Sequence, residues 1–284
     1  MNGILVINKP INYTSRDVVN KIGGILKTKK VGHTGTLDPI ATGVLVICVG
    51  NTTKLCEVLT SEYKEYIATI KLGIKTDTLD TTGKIIETKE FNVTESQIKE
   101  VLSSFLGQST QVTPIYSAVK VNGKKLYEYA REGKEVELPK REINITNIEL
   151  ISYNDDEIVF KTTVSKGTYI RALIDDICTK LNTVGTMSSL QRTKQGNFFI
   201  ENSYTIEDVQ NGNYKLINIE EALSNLETIN INEEQYNQVK NGSIIDKIFN
   251  DDIACLSYEN KIVAIYQTYH KDNSKAKPFK MFIN

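Results

Sequence analysis

The stretch VGHTGTLDPIATGVLVICVG, residues 31–50, is the part of the sequence that decides the fold. Its second half, Val44 to Val49, is an unbroken apolar run of strand length, which is typical of a buried strand. Just before it, Asp38 precedes a proline. This favours a structural role, with Asp38 as a helix N-cap, Pro39 as the first helical residue and Gly43 as the end of one turn. Loops that enter a rigid strand also commonly carry catalytic groups, so the same loop is a candidate site.

Helix and strand patterns alternate irregularly along the rest of the chain. Capping-box residues predict helix starts at Thr14 and Thr94, and apolar spacing predicts another helix from Thr168. Asn122 and Gly123 form a strong hairpin signal. Several predicted strands follow one another without a crossover helix, which predicts an α+β fold with a central, largely antiparallel mixed sheet flanked by helices. The expected strands include residues 3–8, 44–49, 62–73, 143–153 and 157–164.

The chain changes character after Asn230. Short strand-like runs, IACLSY and KIVAIYQTY, then alternate with turns rich in Asn, Asp and Gly. A segment of about fifty residues reaches the lower size limit of a domain. We therefore expect two domains, residues 1–229 and a small β domain of residues 230–284.

The composition argues against several classes of protein. The 284 residues are 40% hydrophobic, which is enough for a sizeable core, yet no apolar stretch reaches the length of a membrane span. The start of the chain does not resemble a signal peptide. The four cysteines form no CxxC pair and the two histidines are far apart, so we expect a cytoplasmic protein without a metal site. The motifs of P-loop, dinucleotide-binding, zinc-deaminase and serine-hydrolase sites do not occur.

Charge is distributed unevenly, although the net charge is only −1. Residues 1–36 contain six lysines or arginines and one acid, whereas residues 201–260 contain three and twelve. This asymmetry hints at a polyanionic partner, but lysine-rich solvated faces explain it more simply.

Four further residues lie at strand ends, where side chains can converge on one cleft. Lys9 ends the first strand, Tyr66 lies early in its strand, and Tyr169 and Arg171 lie where a strand turns into a helix. An arginine stabilises an ionised carboxylate such as Asp38, and an aromatic face can hold a flat ring. This combination suits attack on the sugar–base bond of a flipped-out nucleotide. Each residue also has an ordinary alternative, as a solvated lysine, a half-buried sheet tyrosine or a helix-surface arginine.

The ordered motifs resemble those of the TruB family, the tRNA pseudouridine synthases that act on uridine 55 in the T arm. GHTGTLDPIATGVL, residues 32–45, closely resembles the family signature. Further segments resemble family motifs in the same order: GILVINKPINYTS (3–15), EYKEYIATIKLGIKTDTLDTTG (62–83), TPIYSAVKVNGKKLYEYAREG (113–133), SKGTYIRALIDDI (165–177) and MSSLQRTKQGNF (187–198).

The resemblance implies a reaction and a set of site residues. Family members break the C1′–N1 bond of uridine, rotate the uracil and form a C1′–C5 bond, without a cofactor or metal. The resemblance implies that Asp38 is the catalytic nucleophile, although a glycal route stays open. Arg171 then pairs with Asp38, and Tyr66 stacks on the uracil and helps to remove the C5 proton. The other implied substrate-site residues are His33, in the space left by the flipped base, Tyr169 and Leu190 in the uracil pocket, and Lys9 as a support for the region.

The resemblance also implies that the partner is the T stem-loop of tRNA. Residues 113–133 resemble a segment that grips RNA, and residues 230–284 resemble a PUA domain. Phosphate contacts would make the affinity salt-dependent. Gln191 departs from a position that is often basic in the family. The residues implied to contact the RNA backbone are Lys29, Lys30, Lys120, Lys124, Lys125 and Arg131.

Three other functions remain open from the sequence. The first is a non-catalytic tRNA-binding or tRNA-folding protein. The second is a guide-RNA-dependent synthase acting on ribosomal RNA, and the third is an enzyme for a small nucleoside or carbohydrate. Because the long additions of the guide-dependent relatives do not occur here, we expect a stand-alone enzyme, a monomer with no obligate protein partner.

Overall fold

The computed structural model describes residues 1–60 and 63–283. The predicted start of a strand at Glu62 lies outside the described residues. Two sheets and eight helices make up most of that part of the chain, together with two small hairpins and two 3₁₀ turns, Gly50–Leu55 and Ile200–Asn202. No helix in it is both long enough and apolar enough to cross a membrane.

The strands are numbered in chain order. They are β1 (Gly3–Lys9), β2 (Val31–His33), β3 (Thr42–Val49), β4 (Lys64–Leu72), β5 (Ile74–Thr76), β6 (Ile85–Thr88), β7 (Gly107–Val112), β8 (Lys120–Val121), β9 (Lys124–Lys125), β10 (Lys140–Asn154), β11 (Glu157–Val164), β12 (Gly185–Gln195), β13 (Phe198–Phe199), β14 (Thr228–Asn230), β15 (Ile245–Asp246), β16 (Ile253–Tyr258), β17 (Lys261–Tyr269) and β18 (Asp272–Met281).

The helices are numbered in the same way. They are α1 (Ser15–Ile25), α2 (Cys56–Thr60), α3 (Glu95–Ser103), α4 (Leu126–Arg131), α5 (Ile170–Lys180), α6 (Ile206–Gln210), α7 (Ile219–Ala222) and α8 (Glu233–Lys240). Capping boxes at Thr14 and Thr94 begin α1 and α3, as the sequence predicts.

The larger sheet has the order β1-β3-β12-β4-β11-β10-β7, with β2 beside β3 and β13 beside β12. All of its pairings are antiparallel except β12 with β3. The smaller sheet has the order β14-β16-β17-β18-β15. The predicted α+β fold, with a large mixed sheet and β strands at the C-terminal end, is confirmed.

Strand β3 is apolar from Val44 to Val49 because both of its faces are covered. Alternate side chains of a strand point to opposite faces. Val44, Val46 and Cys48 pack in one cluster with residues of β16 and β17, whereas Leu45 and Ile47 pack against α1. The first of these clusters contains residues from both predicted domains. The division at residue 230 therefore stays a prediction, and the smaller sheet begins slightly earlier, at β14.

The prediction of a helical turn at Asp38 is wrong. The amide of Ala41 donates a 3.0 Å hydrogen bond to the carbonyl of Asp38, which closes a β-turn with Pro39 at its second position. No helix follows, because β3 begins at Thr42 and Gly43 already pairs with the neighbouring strands.

Gly43 is the point where β12 reaches β3. Its φ is +94°, and a Cβ built there would lie 2.2 Å from the carbonyl oxygen of Arg192. Only glycine fits this conformation and this approach without strain. The close approach places β12 beside the loop that contains Asp38.

We expect Gly43→Ala to destabilise the fold by at least about 1–2 kcal/mol, because the new methyl group meets backbone that cannot move aside. Urea unfolding measures the change. Gly24→Ala is the matched control, since a Cβ there meets nothing within 4 Å and the residue is helical. It should be neutral or stabilising by up to about 1 kcal/mol. Equal stability of the two variants would contradict this account of the β3–β12 contact.

Candidate active site

A cavity of about 480 Å³ opens where the Asp38 loop, β4, β12 and the start of α5 meet. Five of the residues predicted for the site line it: Asp38, Tyr66, Tyr169, Arg171 and Leu190. They come from four separate parts of the sequence, and the sheet order together with α5 brings them to one place. Asp38 is the only carboxylate among the described residues that line the cavity.

Asp38 and Arg171 form a two-pronged ion pair at the cavity wall. Arg171 Nε lies 2.9 Å from Asp38 Oδ2, and Arg171 Nη2 lies 3.2 Å from Asp38 Oδ1. The arginine side chain is 7% exposed, whereas the aspartate side chain is 35% exposed. A bidentate pair fixes the orientation of a carboxylate as well as its charge. Arg171 therefore binds one side of the Asp38 carboxylate, and the other side faces the cavity.

The backbone on either side completes the setting of Arg171. Arg171 Nη1 donates to the Thr78 carbonyl at 2.9 Å, and Arg171 Nη2 donates to the Tyr116 carbonyl at 3.0 Å. Thr78 is fixed in turn, because its hydroxyl donates to the buried carboxylate of Asp80 at 2.9 Å. Sequence patterns did not predict roles for Thr78, Asp80 and Tyr116. The polar turn DTLDTTG after β5 was the available signal for the first two.

Lys9 supports the Asp38 turn from inside the protein. Its side chain is fully buried, and its ammonium donates to the carbonyls of Tyr13 at 2.6 Å, Pro10 at 3.0 Å and Pro39 at 3.3 Å. Burial lowers the pKa of Lys9 from its ordinary 10.5 to about 8. Lys9 does not line the cavity, and its hydrogen bond to the Pro39 carbonyl agrees with the supporting role that the resemblance implies. The alternative of a solvated lysine is wrong, because the side chain is buried.

Two tyrosines and a leucine supply the flat, apolar part of the cavity. Tyr66 and Leu190 lie on the adjacent strands β4 and β12. Tyr169 precedes the first residue of α5, and its amide donates to Gln111 Oε1 at 2.8 Å while its carbonyl accepts from Gln111 Nε2 at 3.1 Å. This pair of hydrogen bonds fixes the start of α5, and with it the position of Arg171.

His33 lies apart from these residues. It is the last residue of β2, pairs with Ile47, and does not line the cavity. Its Nδ1 accepts a 3.3 Å hydrogen bond from the amide of Gly35. Burial, followed by the charges of Arg16 and Arg192, lowers the pKa of His33, so the imidazole is neutral near pH 7.

Among the residues that the structure describes, several basic side chains surround Asp38 in this cavity. Arg192 is 1% exposed, donates to the carbonyls of Val44 at 2.6 Å and Gly35 at 3.1 Å, and forms no ion pair with the described residues. Arg141 and Lys166 also line the cavity. A low-dielectric cleft with this balance of charge attracts anions. Arg192 was not predicted as a site residue because nothing in its local sequence indicates burial.

The predicted RNA-contact residues divide into two groups. The first group lies in the β8–β9 hairpin and α4, next to Tyr127, which lines the cavity. It consists of Lys120, Lys124, Lys125 and Arg131. Lys29 and Lys30 are exposed just before β2 and do not line it.

Comparison with known proteins shows the family to which this chain belongs. The family model for the N-terminal domain of TruB family pseudouridylate synthases matches residues 24–170. A "tRNA pseudouridine synthase B" of Clostridium tetani is 45% identical over 276 residues, covering 94% of this chain and 96% of the relative. The protein of the same name from Bacillus anthracis is 41% identical over 303 residues, covering 100% and 98%.

Solved structures agree on the fold. The structure of an H/ACA RNP bound to a substrate RNA containing 2′-deoxyuridine aligns with a TM-score of 0.75 at 23% identity, covering 99% of this chain and 85% of that one. A Cbf5–Nop10–Gar1 complex gives the same TM-score at 24% identity, covering 99% and 84%. The family model and the named relatives show that this chain is a pseudouridine synthase. The chain belongs to the TruB family.

Buried Lys9 predicts a specific pH dependence of stability. In the unfolded chain its pKa is 10.5 and in the folded chain about 8, so between these values the unfolded state binds more protons. Stability due to this group therefore rises with pH. We expect the stability of the wild type to rise by about 1–2 kcal/mol relative to Lys9→Met between pH 8 and pH 10. Urea unfolding at both pH values measures this difference. Parallel pH profiles would contradict the assignment.

Proposed function

We propose that this enzyme converts uridine 55 in the T arm of tRNA to pseudouridine, with Asp38 as its catalytic residue. The observation that supports this best is that Asp38, the one carboxylate among the described residues of a basic cavity, is bound by buried Arg171. The tRNA substrate is inferred from relatives that are at least 41% identical over nearly the whole chain.

The chemistry begins with the target uridine flipped out of the RNA loop into the cavity. Extruding a base costs little in a single-stranded loop, and aromatic side chains then stack on it. Tyr66 and Tyr169 are the aromatic residues proposed for this contact, with Leu190 against the uracil. The open side of Asp38 then faces the sugar.

Asp38 assists cleavage of the C1′–N1 bond, either by attacking C1′ or by removing the proton on C2′. The uracil leaves as an anion that the basic cavity stabilises, and it rotates so that C5 faces C1′. In the first route, C5 then displaces the Asp38 carboxylate from C1′. In the second route, C5 adds to C1′ of the glycal and Asp38 returns its proton to C2′. The C5 proton is lost to solvent with help from Tyr66 and N1 gains a proton from solvent, so that the product is an isomer of the uridine.

Arg171 acts as a positioning residue for Asp38. Its hydrogen bonds orient the carboxylate, while the carbonyls of Thr78 and Tyr116 prevent the guanidinium from moving toward the substrate. Holding a reacting group in one orientation contributes a large part of a catalytic rate.

The basic surface next to the cavity is proposed to contact the T stem-loop. Lys120, Lys125 and Arg131 supply positive charge, and Arg131 stacks over the ring of Tyr127 at 5.3 Å. Lys124 is different, because it forms an ion pair with Glu132 at 2.5 Å. We propose that the enzyme acts in the cytoplasm, as a monomer and without a guide RNA. The support is that the relatives 45% and 41% identical to it are named as tRNA enzymes.

The central test is tritium release from a T-arm stem-loop labelled at C5 of its uridines. Wild type should release tritium without a guide RNA, and Asp38→Asn should be slower by more than about a thousandfold, because no other described carboxylate lines the cavity. Glu149→Gln, an exposed carboxylate on β10, is the matched control and should retain full activity.

Three other results in this assay would contradict the proposal. Tight binding without release by the wild type would indicate a binding protein or a guide-dependent enzyme. Equal release by wild type and Asp38→Asn would exclude Asp38 as the catalytic residue. Release that survives replacement of uridine 55 by cytidine would exclude the proposed position.

A second prediction concerns the salt dependence of RNA binding. Lys120→Gln should weaken stem-loop binding and reduce the slope of log Kd against log salt by about 0.7–0.9, the value for one lost phosphate contact. Lys124→Gln should change the slope less, because Glu132 already neutralises Lys124. Filter binding at several salt concentrations measures both slopes. Identical slopes for the two variants would contradict the assigned contacts.

A further inference from the structure

Two of the four cysteines lie side by side, outside the active-site cavity. Cys48 is on β3 and is fully buried, whereas Cys56 is the first residue of α2 and is partly exposed. Neither of them lines the active-site cavity, and the proposed reaction uses neither thiol. A chemical role for this pair is therefore independent of the proposed function.

Gly32 makes the space in which the two cysteines meet. Cys48 pairs directly with Gly32 across β2 and β3. Residues paired in this way present their side chains on the same face of the sheet. A Cβ built on Gly32 would lie 3.1 Å from the Sγ atom of Cys56. The Cys56 sulfur therefore covers Gly32 on the face where the Cys48 side chain lies.

Packing and hydrogen bonding place the two thiols in contact. Both cysteines pack in the apolar cluster that contains Val46 and Leu55. The Cys48 thiol donates a hydrogen bond to the sulfur of Cys56. A disulfide requires two cysteines whose side chains point toward each other, since otherwise the backbone has to move. The two cysteines fulfil this requirement.

The hydrogen bond makes the two thiols chemically different. It lowers the pKa of Cys56 by stabilising the thiolate, and it raises the pKa of Cys48, to which burial also contributes. Burial raises the pKa of Cys178 to about 12 and that of Cys255 to about 11. Because the thiolate is the form that oxidants attack, and because Cys56 is also partly exposed, Cys56 is the most reactive of the four cysteines.

We propose that Cys56 is a site of oxidation by hydrogen peroxide and that Cys48 converts the oxidised form to a reversible disulfide. The buried Cys48 thiol needs no access to solvent, because its reaction partner is the neighbouring sulfur. Disulfides that occur in reducing compartments are mostly of this transient kind.

The two steps balance with one peroxide molecule. In the first step, the Cys56 thiolate attacks one peroxide oxygen, the O–O bond breaks, and the departing hydroxide takes up the proton that Cys56 had released. Cys56 is then a sulfenic acid. In the second step, the Cys48 sulfur attacks the Cys56 sulfur, an S–S bond forms, and the S–O bond breaks. The Cys48 proton leaves with the hydroxyl group as a second water molecule. Two thiols are oxidised, and one peroxide is reduced to two water molecules.

Mass spectrometry of the full-length protein after peroxide treatment tests the proposal. The wild type should lose the mass of two hydrogen atoms, its peptide map should contain a Cys48–Cys56 cross-link, and dithiothreitol should restore the original mass. Cys48→Ala should stop at the sulfenic acid, which dimedone traps on Cys56. Cys56→Ala should form no cross-link and should take up no dimedone. The matched control is Cys178→Ala, which removes a thiol on α5 and should form the cross-link as the wild type does.

Three results would overturn the proposal. The first is a wild type in which peroxide produces no Cys48–Cys56 cross-link. The second is a cross-link that joins other cysteines or two molecules, and the third is equal dimedone uptake by Cys48→Ala and Cys56→Ala. Thermal unfolding before oxidation establishes that each variant is folded. Because the assay requires no RNA, its result does not depend on the proposed function.

Discussion

The ion pair between Asp38 and Arg171 is the interaction on which the site depends. The two residues lie 133 positions apart in the chain, and their side chains meet through two hydrogen bonds. Burying a guanidinium is costly unless its donors are satisfied. Here the carboxylate and two backbone carbonyls accept four hydrogen bonds from it. The turn after β5 and the segment before β8 are thereby linked to Asp38 through Arg171.

The rest of the fold positions the two ends of this pair. β12 separates β3 from β4 and approaches β3 closely at Gly43, which brings Leu190 and Arg192 beside the Asp38 loop. On the other side, Gln111 fixes the start of α5 and therefore the direction of Arg171. Lys9 fixes the Asp38 turn by donating a hydrogen bond to the carbonyl of Pro39. The residues around the Asp38 carboxylate are thus positioned by β12, by α5 and by buried Lys9.

Much of this arrangement could be predicted from the sequence, and the remainder could not for identifiable reasons. Capping boxes and the period of apolar residues are local signals, so α1, α3 and the hairpin strands were predicted correctly. The family motifs predicted five residues that share the cavity. The turn at Asp38 was predicted as a helix because Asp-Pro begins a helix and a β-turn equally well. The burial of Lys9 depends on a carbonyl thirty positions away. Arg171 contacts the backbone carbonyls of Thr78 and Tyr116. Because every residue has such a carbonyl, the residue types at these positions do not predict the contacts.

The most direct measurement of the central claim is a crystal structure of Asp38→Asn with a T-arm stem-loop that contains uridine 55. The account predicts that this base is flipped into the cavity and contacts Tyr66 and Tyr169. It also predicts that the side chain of residue 38 lies within about 3–3.5 Å of the reacting sugar, the distance of groups poised to react. A stem-loop bound with uridine 55 still stacked in the RNA, or with its sugar far from residue 38, would contradict the account.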